Sequence, residues 1–180
     1  LWGYLDEHPE IFMSKKKEPG YFAPEWPGRK IEERYLNLFN EADNSRHKRI
    51  GEASTMYLSC PGTAANIYQF AEENRIDDIK LIAMLRNPAD RAYSRYNWQV
   101  QEGYEYAANF AKAMQREEQR SAMPFPNSRL TGGFKYNYLY YNSGLYSSQV
   151  EEYFDFFGRD RVMIIIFEEF IRDIPTHLFQ

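Results

Sequence analysis

The feature that most constrains the fold is a short apolar run at residues 81–85, which ends on Arg86 and is followed by Asn87 and Pro88. A continuous apolar run of this length is typical of a strand that is buried on both faces of a parallel sheet. Asn87 suits the N-cap of a helix, and Pro88 suits its first turn. We therefore predict a strand, a tight turn and a helix, with Arg86 at the carboxyl end of the strand.

Arg86 and Ser94 are candidate ligands for a phosphate group. Open α/β sheets bind ligands at the carboxyl ends of their strands, where helix N-termini also favour anions. A guanidinium can make forked hydrogen bonds to a phosphate, and Ser94, two turns into the predicted helix, offers a hydroxyl. The residues alone leave an alternative open, in which Arg86 is a surface charge and Ser94 is only solvated.

Helical patterns and short apolar strands alternate along the rest of the chain. Residues 161–167 form a second apolar run that predicts a buried strand, and shorter strands are expected at 11–13 and 49–53. Helices are expected at 1–7, 31–39, 61–71, from Pro88, and at 110–118 and 150–157, with a long loop at 120–135. This order predicts an α/β fold with a mostly parallel central sheet and helices on both faces. Without a linker, residues 1–180 are expected to form one domain.

Composition excludes several classes of function. The 180 residues carry a net charge of −4, which argues against nucleic-acid binding because such proteins must neutralise phosphates. No apolar run is long enough to span a bilayer. The single Cys60 cannot form an internal disulfide, which favours a reducing, cytoplasmic location. We expect no metal, since the three histidines show no ligand spacing with Cys60.

Several ordered motifs resemble the sulfotransferases that use 3′-phosphoadenosine 5′-phosphosulfate (PAPS). The similarity is greatest to the branch of bacterial sulfotransferases and the glucosaminyl sulfotransferases of heparan sulfate. It covers almost the whole chain and implies a P-loop-type three-layer α/β fold. The matching segments are the helix and His-Pro of 1–9, the Lys-Glu-Pro-Gly-Tyr-Phe of 17–22, the Gly-Glu-Ala-Ser-Thr-Met-Tyr-Leu of 51–58, the 3′-phosphate motif of 86–94, and the helix and strand of 143–175.

The resemblance implies a role for four residues. Arg86 and Ser94 would bind the 3′-phosphate of PAPS. Glu18 would be the general base that takes a proton from the acceptor hydroxyl or amine. Lys17 would stabilise charge on the sulfuryl oxygens or position the acceptor. Without the resemblance, Lys17 and Glu18 would read as part of a solvated charged run that begins at Lys15.

Other residues of these motifs have two possible roles. Glu52, Ser54 and Thr55 could line the cleft or could cap a turn. Tyr146 could contact adenine or the acceptor, or could pack in the core. These alternatives stay open at the level of the sequence.

The chain also departs from the family pattern. The loop that holds the 5′-phosphosulfate is expected before Leu1, and a late glycine-containing loop beyond Gln180, so we expect a domain that is incomplete at both ends. Ala53 stands where the heparan-sulfate branch often has lysine, which weakens any case for a polyanionic sugar. A small-molecule, lipid or carbohydrate acceptor is expected.

Two other functions remain compatible with the residues. One is a P-loop kinase on the same architecture, which would require a Gly-x-x-x-x-Gly-Lys-Ser/Thr loop upstream. The other is a non-catalytic nucleotide-binding module.

Overall fold

The computed structural model describes residues 1–24, 32–122 and 135–172, and within them the strands form two parallel pairs. Strand β1 (Ile11–Met13) pairs with β2 (Arg49–Gly51), and β3 (Leu81–Leu85) pairs with β4 (Val162–Ile166). All four lie where the sequence predicted strands. Parallel neighbours cannot be joined by a tight hairpin, so the connections between them carry helices.

Both pairs end in step at their carboxyl ends. Met13 is opposite Gly51 in the first pair, and Leu85 is opposite Ile166 in the second. The segments that follow two paired strands therefore leave the sheet from adjacent positions. This brings together residues that are more than thirty positions apart in the first pair and more than eighty apart in the second.

The described residues form eight α-helices. They are α1 (Trp2–Asp6), α2 (Glu32–Leu36), α3 (Thr63–Glu73), α4 (Pro88–Gln101), α5 (Phe110–Gln115), α6 (Glu117–Ala122), α7 (Tyr146–Phe157) and α8 (Phe167–Phe170). Helix α4 begins as predicted, because the Asn87 side chain accepts hydrogen bonds from the backbone N–H groups of Ala89 at 3.0 Å and Asp90 at 3.3 Å.

The main core lies between α3, α7 and the β3–β4 pair. Its buried members come from the 18–24 segment, from both helices and from β4, and they are Phe22, Ala64, Ile67, Tyr153, Phe157 and Val162. Leu81 and Ile164 pack against them from the strands. The aromatic segment that follows Glu18 is therefore fixed by the same core as the strands.

One expectation about β3 is wrong for the described residues: the strand is not buried on both faces. Ile82 is 43% exposed, and its register partner Met163 is 57% exposed. Successive side chains of a strand point to opposite faces, so the core covers Leu81 and Ile164 while Ile82 and Met163 point away from it. A continuous apolar run does not reveal that only one face has a neighbour.

Two further boundaries differ from the sequence analysis. The helix expected at 110–118 is divided at Arg116, and its second part continues to Ala122, inside the loop predicted for 120–135. The division lets the buried Glu117 carboxylate accept hydrogen bonds from the backbone N–H groups of Tyr141 at 2.8 Å and Asn142 at 2.7 Å. Most of the predicted loop, residues 123–134, lies outside the described residues.

The two adjacent phenylalanines of α7 offer a test of this packing. Phe157 is 6% exposed in the core, whereas Phe156 is 38% exposed. We expect Phe157→Ala to lower the free energy of unfolding by about 3–5 kcal/mol, since it leaves a cavity, and Phe156→Ala to cost clearly less. Urea unfolding of both variants measures this, and equal losses would contradict the described core.

Candidate functional site

The turn after β3 holds Arg86 beside the first residues that follow β4. The Arg86 guanidinium lies over the Phe167 ring, 5.2 Å from its centroid, and the Glu168 carboxylate accepts a hydrogen bond from the Asn87 backbone N–H at 2.9 Å. Phe167 follows Ile166 directly, so the strand register itself sets this contact. The cation–π contact orients Arg86 without neutralising its charge.

The Arg86 guanidinium donates no hydrogen bond to another described residue. It is half-buried, and among the described residues no carboxylate forms an ion pair with it. The Tyr146 hydroxyl donates to its backbone carbonyl at 2.9 Å, so Tyr146 supports this turn of the chain. Ser94 lies exposed on α4, eight residues after Arg86 on the same strand–turn–helix unit.

The segment after β1 is tied to the segment after β2 beyond the end of the strands. The Ser14 backbone N–H donates to the Gly51 carbonyl at 2.8 Å, and the Glu18 N–H donates to the Ala53 carbonyl at 3.0 Å. Glu18 has a φ of 54°, a left-handed conformation that is uncommon for a residue other than glycine. Such conformations cost energy and often occur at functional sites.

The Glu18 carboxylate is held through one of its two oxygens. Oε2 accepts from the Thr55 backbone N–H at 2.9 Å and from the Thr55 hydroxyl at 3.1 Å. Within the described part of the chain, no hydrogen bond engages Oε1. Thr55, the first residue of a 3-10 turn at residues 55–57, therefore holds Oε2 and leaves Oε1 without a hydrogen bond to any described residue.

The neighbouring charges of the sequence run have different environments. Lys15 forms an exposed ion pair with Glu41. Lys17 is exposed, and its ammonium lies over the Trp2 ring of α1, 4.5 Å from the centroid. Only Glu18 is turned toward the 52–57 segment, so the charged run is not uniformly solvated.

Glu52 is a second carboxylate close to Glu18. Its Oε1 accepts from the Tyr57 hydroxyl at 2.5 Å, and its Oε2 accepts from the Ser54 hydroxyl at 3.0 Å. Burial raises the pKa of Glu52 to about 6, the two hydroxyl bonds oppose the rise, and the Glu18 charge adds to it. The sequence offered Glu52 only as a cleft or cap residue and gave no sign of this burial.

Arg95 was not singled out in the sequence, and its charge interacts with that of Glu18. It follows Ser94 on α4, its guanidinium stacks over the Trp98 ring at 4.6 Å, and its Nε donates to the Asn137 carbonyl at 3.5 Å. Burial lowers the pKa of Arg95, and the Glu18 carboxylate is the first of the charges that oppose this. The only sequence signal was its place next to Ser94.

The described residues hold neither a cluster of metal ligands nor a helix that could span a membrane. Over residues 1–24, 32–122 and 135–172, no three His, Cys, Asp or Glu side chains are grouped so that they could hold a metal ion. In the same ranges, no helix has the length and apolar character needed to cross a membrane.

Comparison with known proteins identifies the family. The family model described as "Sulfotransferase domain" matches residues 58–178, about two thirds of the chain. The chain belongs to the sulfotransferase family. The matched range includes Arg86 and Ser94 and leaves out Lys17 and Glu18. The predicted family and its P-loop-type α/β fold are thereby confirmed.

A solved structure extends the similarity to nearly the whole chain. The crystal structure of a sulfotransferase from Alicyclobacillus acidocaldarius superposes with a TM-score of 0.81 at 33% identity, covering 97% of this chain and 70% of that chain. Among curated proteins, the membrane-associated sulfotransferase kil1 of Dictyostelium discoideum is 34% identical over 104 residues, which is 54% of this chain. The chain spans about a fifth of that relative, 20% of its length.

The raised pKa of Glu52 predicts how stability changes with pH. A carboxyl whose pKa rises from 4.5 to about 6 on folding contributes stability below pH 4.5 that is lost as the pH rises through 6. The loss amounts to about 2 kcal/mol at most. From pH 4.5 to 7.5, the unfolding free energy of wild type should therefore fall relative to that of Glu52→Gln. A difference that does not vary with pH would contradict the buried carboxyl.

Proposed function

We propose that the protein transfers a sulfuryl group from PAPS to a hydroxyl or amine acceptor. Family membership supports this proposal, since members of the sulfotransferase family generally use PAPS. The observation that carries it is the Arg86 turn: an oriented guanidinium at the carboxyl end of β3, beside the N-terminus of α4, that no carboxylate of the described residues pairs with. A P-loop kinase on the same architecture has no such support from the comparisons.

The residues present fit the 3′-phosphate of such a cofactor. A guanidinium is the side chain best suited to forked recognition of a phosphate, and the half-buried position of Arg86 strengthens its hydrogen bonds relative to a solvated one. The exposed Ser94 hydroxyl adds a further donor. When bound, PAPS would supply the activated sulfuryl group, and this chain would supply binding and proton transfer.

Glu18 is proposed as the general base. Its Oε1, which no described residue engages, can accept the proton of the acceptor hydroxyl or amine while Oε2 stays bonded to Thr55. Removal of that proton increases the negative charge on the acceptor atom as it attacks. The reaction then depends mainly on positioning and on stabilising the charge of the transferring group.

Lys17 is proposed to interact with the sulfuryl oxygens or with the acceptor. Its ammonium is exposed and adjacent in sequence to Glu18, and the contact with Trp2 leaves its charge intact. Stabilising the sulfuryl oxygens or orienting the acceptor requires such an unneutralised cation. Arg95, which feels the Glu18 charge from α4, adds a second cation to this side of the site.

The acceptor is proposed only as a class. Small molecules, lipids and carbohydrates with a hydroxyl or amine all suit a carboxylate base, and Ala53 with the net charge of −4 disfavours a polyanionic sugar. A cytoplasmic location remains a prediction from the single cysteine, and the similar Dictyostelium protein is described as membrane-associated. The extent of the domain as residues 1–180 is likewise still a prediction.

Ligand binding tests the cofactor assignment. In calorimetric titrations we expect 3′-phosphoadenosine 5′-phosphate to bind more tightly than ADP, and Arg86→Ala to weaken it by about 10- to 100-fold, because a charge-assisted bond is lost. Arg161→Ala is the matched control, since Arg161 precedes the opposite end of β4 and is exposed. Preference for ADP, or equal losses in both variants, would contradict the assignment.

Turnover tests the base. Glu18→Gln retains an oxygen that can accept from Thr55 but cannot take a proton, so we expect sulfuryl transfer to fall on the order of a hundredfold or more with little change in cofactor affinity. Glu41→Gln, at the exposed partner of Lys15, is the control and should leave turnover unchanged. An equal loss of turnover and cofactor affinity would argue against Glu18 as the base. Absence of transfer by wild type would favour a non-catalytic nucleotide-binding module.

A further inference from the structure

Two hydroxyl groups connect the half-buried Glu52 to the backbone that follows Glu18. The Ser54 hydroxyl donates to Glu52 at 3.0 Å and accepts from the Gly20 backbone N–H at 3.0 Å. The Tyr57 hydroxyl donates to Glu52 at 2.5 Å and accepts from the Phe22 backbone N–H at 3.3 Å. One carboxylate thus reaches two amides of the 18–22 segment through two separate side chains.

The direction of these hydrogen bonds depends on the carboxylate. An ionised carboxylate only accepts, whereas a hydroxyl has one proton to donate and lone pairs that accept. Because each hydroxyl gives its proton to Glu52, its oxygen is left to accept from a backbone N–H. Without an acceptor at position 52, each hydroxyl proton would need another partner, and its orientation toward the amide would no longer be fixed.

The 18–22 segment needs such anchors. Glu18 and Gly20 both have positive φ angles, 54° and 65°, on either side of Pro19. The conformation at Glu18 persists only if the surroundings enforce it. Thr55 holds the side chain of Glu18. On its carboxyl side, Phe22 packs in the main core and its carbonyl accepts from the Asn66 side chain at 2.7 Å, while the backbone N–H groups of Gly20 and Phe22 donate to the Ser54 and Tyr57 hydroxyls.

We propose that Glu52 is a positioning residue that fixes the proposed base Glu18 by orienting the Ser54 and Tyr57 hydroxyls toward the backbone of residues 20–22. The inference rests on the proposed function, since it concerns where the Glu18 oxygen points during proton transfer. Glu52 contacts neither acceptor nor cofactor in this role. It acts through the two hydroxyls alone.

The test combines a structural and a kinetic measurement on the full protein. In Glu52→Gln the amide oxygen can accept from one hydroxyl, but the amide nitrogen cannot accept from the other. We expect hydrogen exchange at Gly20 and Phe22 to speed up about tenfold, with kcat lowered by a similar factor and the affinity for 3′-phosphoadenosine 5′-phosphate unchanged. Ser54→Ala removes one of the two hydroxyls and leaves the Glu52 carboxylate in place. It should raise hydrogen exchange mainly at Gly20.

Glu152→Gln is the matched control. Glu152, on α7, is also a half-buried carboxylate that accepts from a backbone N–H. Its donor is Gly62, at 3.2 Å, which lies outside the 18–22 segment. This variant should leave exchange at residues 18–22 and kcat unchanged. A double variant with Ser54→Ala and Tyr57→Phe already lacks both hydroxyls. Adding Glu52→Gln to it should therefore lower kcat little further.

The outcomes separate this inference from the proposed function. A fall in kcat without faster exchange at Gly20 and Phe22 would overturn the positioning role, and so would faster exchange with unchanged kcat. If wild type transfers no sulfuryl group, the proposed function fails. The exchange data on the same variants would still show whether Glu52 anchors the 18–22 segment, and unchanged exchange would overturn that anchoring as well.

Discussion

Parallel strand pairing is the constraint on which the candidate site depends. Because β3 and β4 end together at Leu85 and Ile166, Arg86 leaves the sheet beside Phe167, and the Asn87 N–H meets Glu168. A slip of one residue in this register would turn every side chain of one strand to the other face. It would move Leu81 out of the core and separate Arg86 from Phe167. The burial of apolar side chains therefore fixes the position of a charged one.

The β1–β2 pair positions the other half of the site in the same way, but through fewer paired residues. Strands β1 and β2 share only three residue pairs. A side-chain carbon added to Gly51 would lie 3.1 Å from the Met13 sulfur, so the strands fit closely there. Beyond that point, hydrogen bonds from Ser14 and Glu18 continue the contact as far as Ala53. The conformation of Glu18 thus depends on hydrogen bonds more than on a long ladder.

Local signals made the β3–α4 unit predictable from the sequence. The apolar run, the N-cap Asn87 and the following Pro88 each act within a few residues, and the structure has the strand and helix at those positions. The exposure of Ile82 could not be predicted, because it depends on which face a distant element covers. For the same reason, the environments of Glu52 and Arg95 could not be predicted from the sequence. The burial of Glu52 and the interaction of Arg95 with the Glu18 charge arise only when segments that are distant in the sequence come together.

The charged run at residues 15–18 shows why motif spacing alone leaves a role undecided. Four consecutive charges read as a solvated surface, and for Lys15 that interpretation agrees with its exposed ion pair. Glu18 differs because its positive φ turns the side chain toward Thr55. The strained backbone at Glu18 therefore directs its side chain to Thr55 instead of to solvent. The residue types alone do not predict this.

Helix α4 is the element that relates the two halves. Its first turn follows Arg86, and Arg95 on its second half feels the charge of Glu18. A side-chain carbon on Gly144 would lie 3.0 Å from the Pro88 ring, and the Arg91 guanidinium donates to the Tyr140 carbonyl, so the 140–144 segment packs closely along the helix. A displacement of α4 would therefore move the phosphate-binding candidate Arg86 and the Arg95 cation, which interacts with the Glu18 charge, together. Sulfuryl transfer requires cofactor and acceptor to meet in one geometry, and a single well-packed helix links the residues that we propose as ligands of the two.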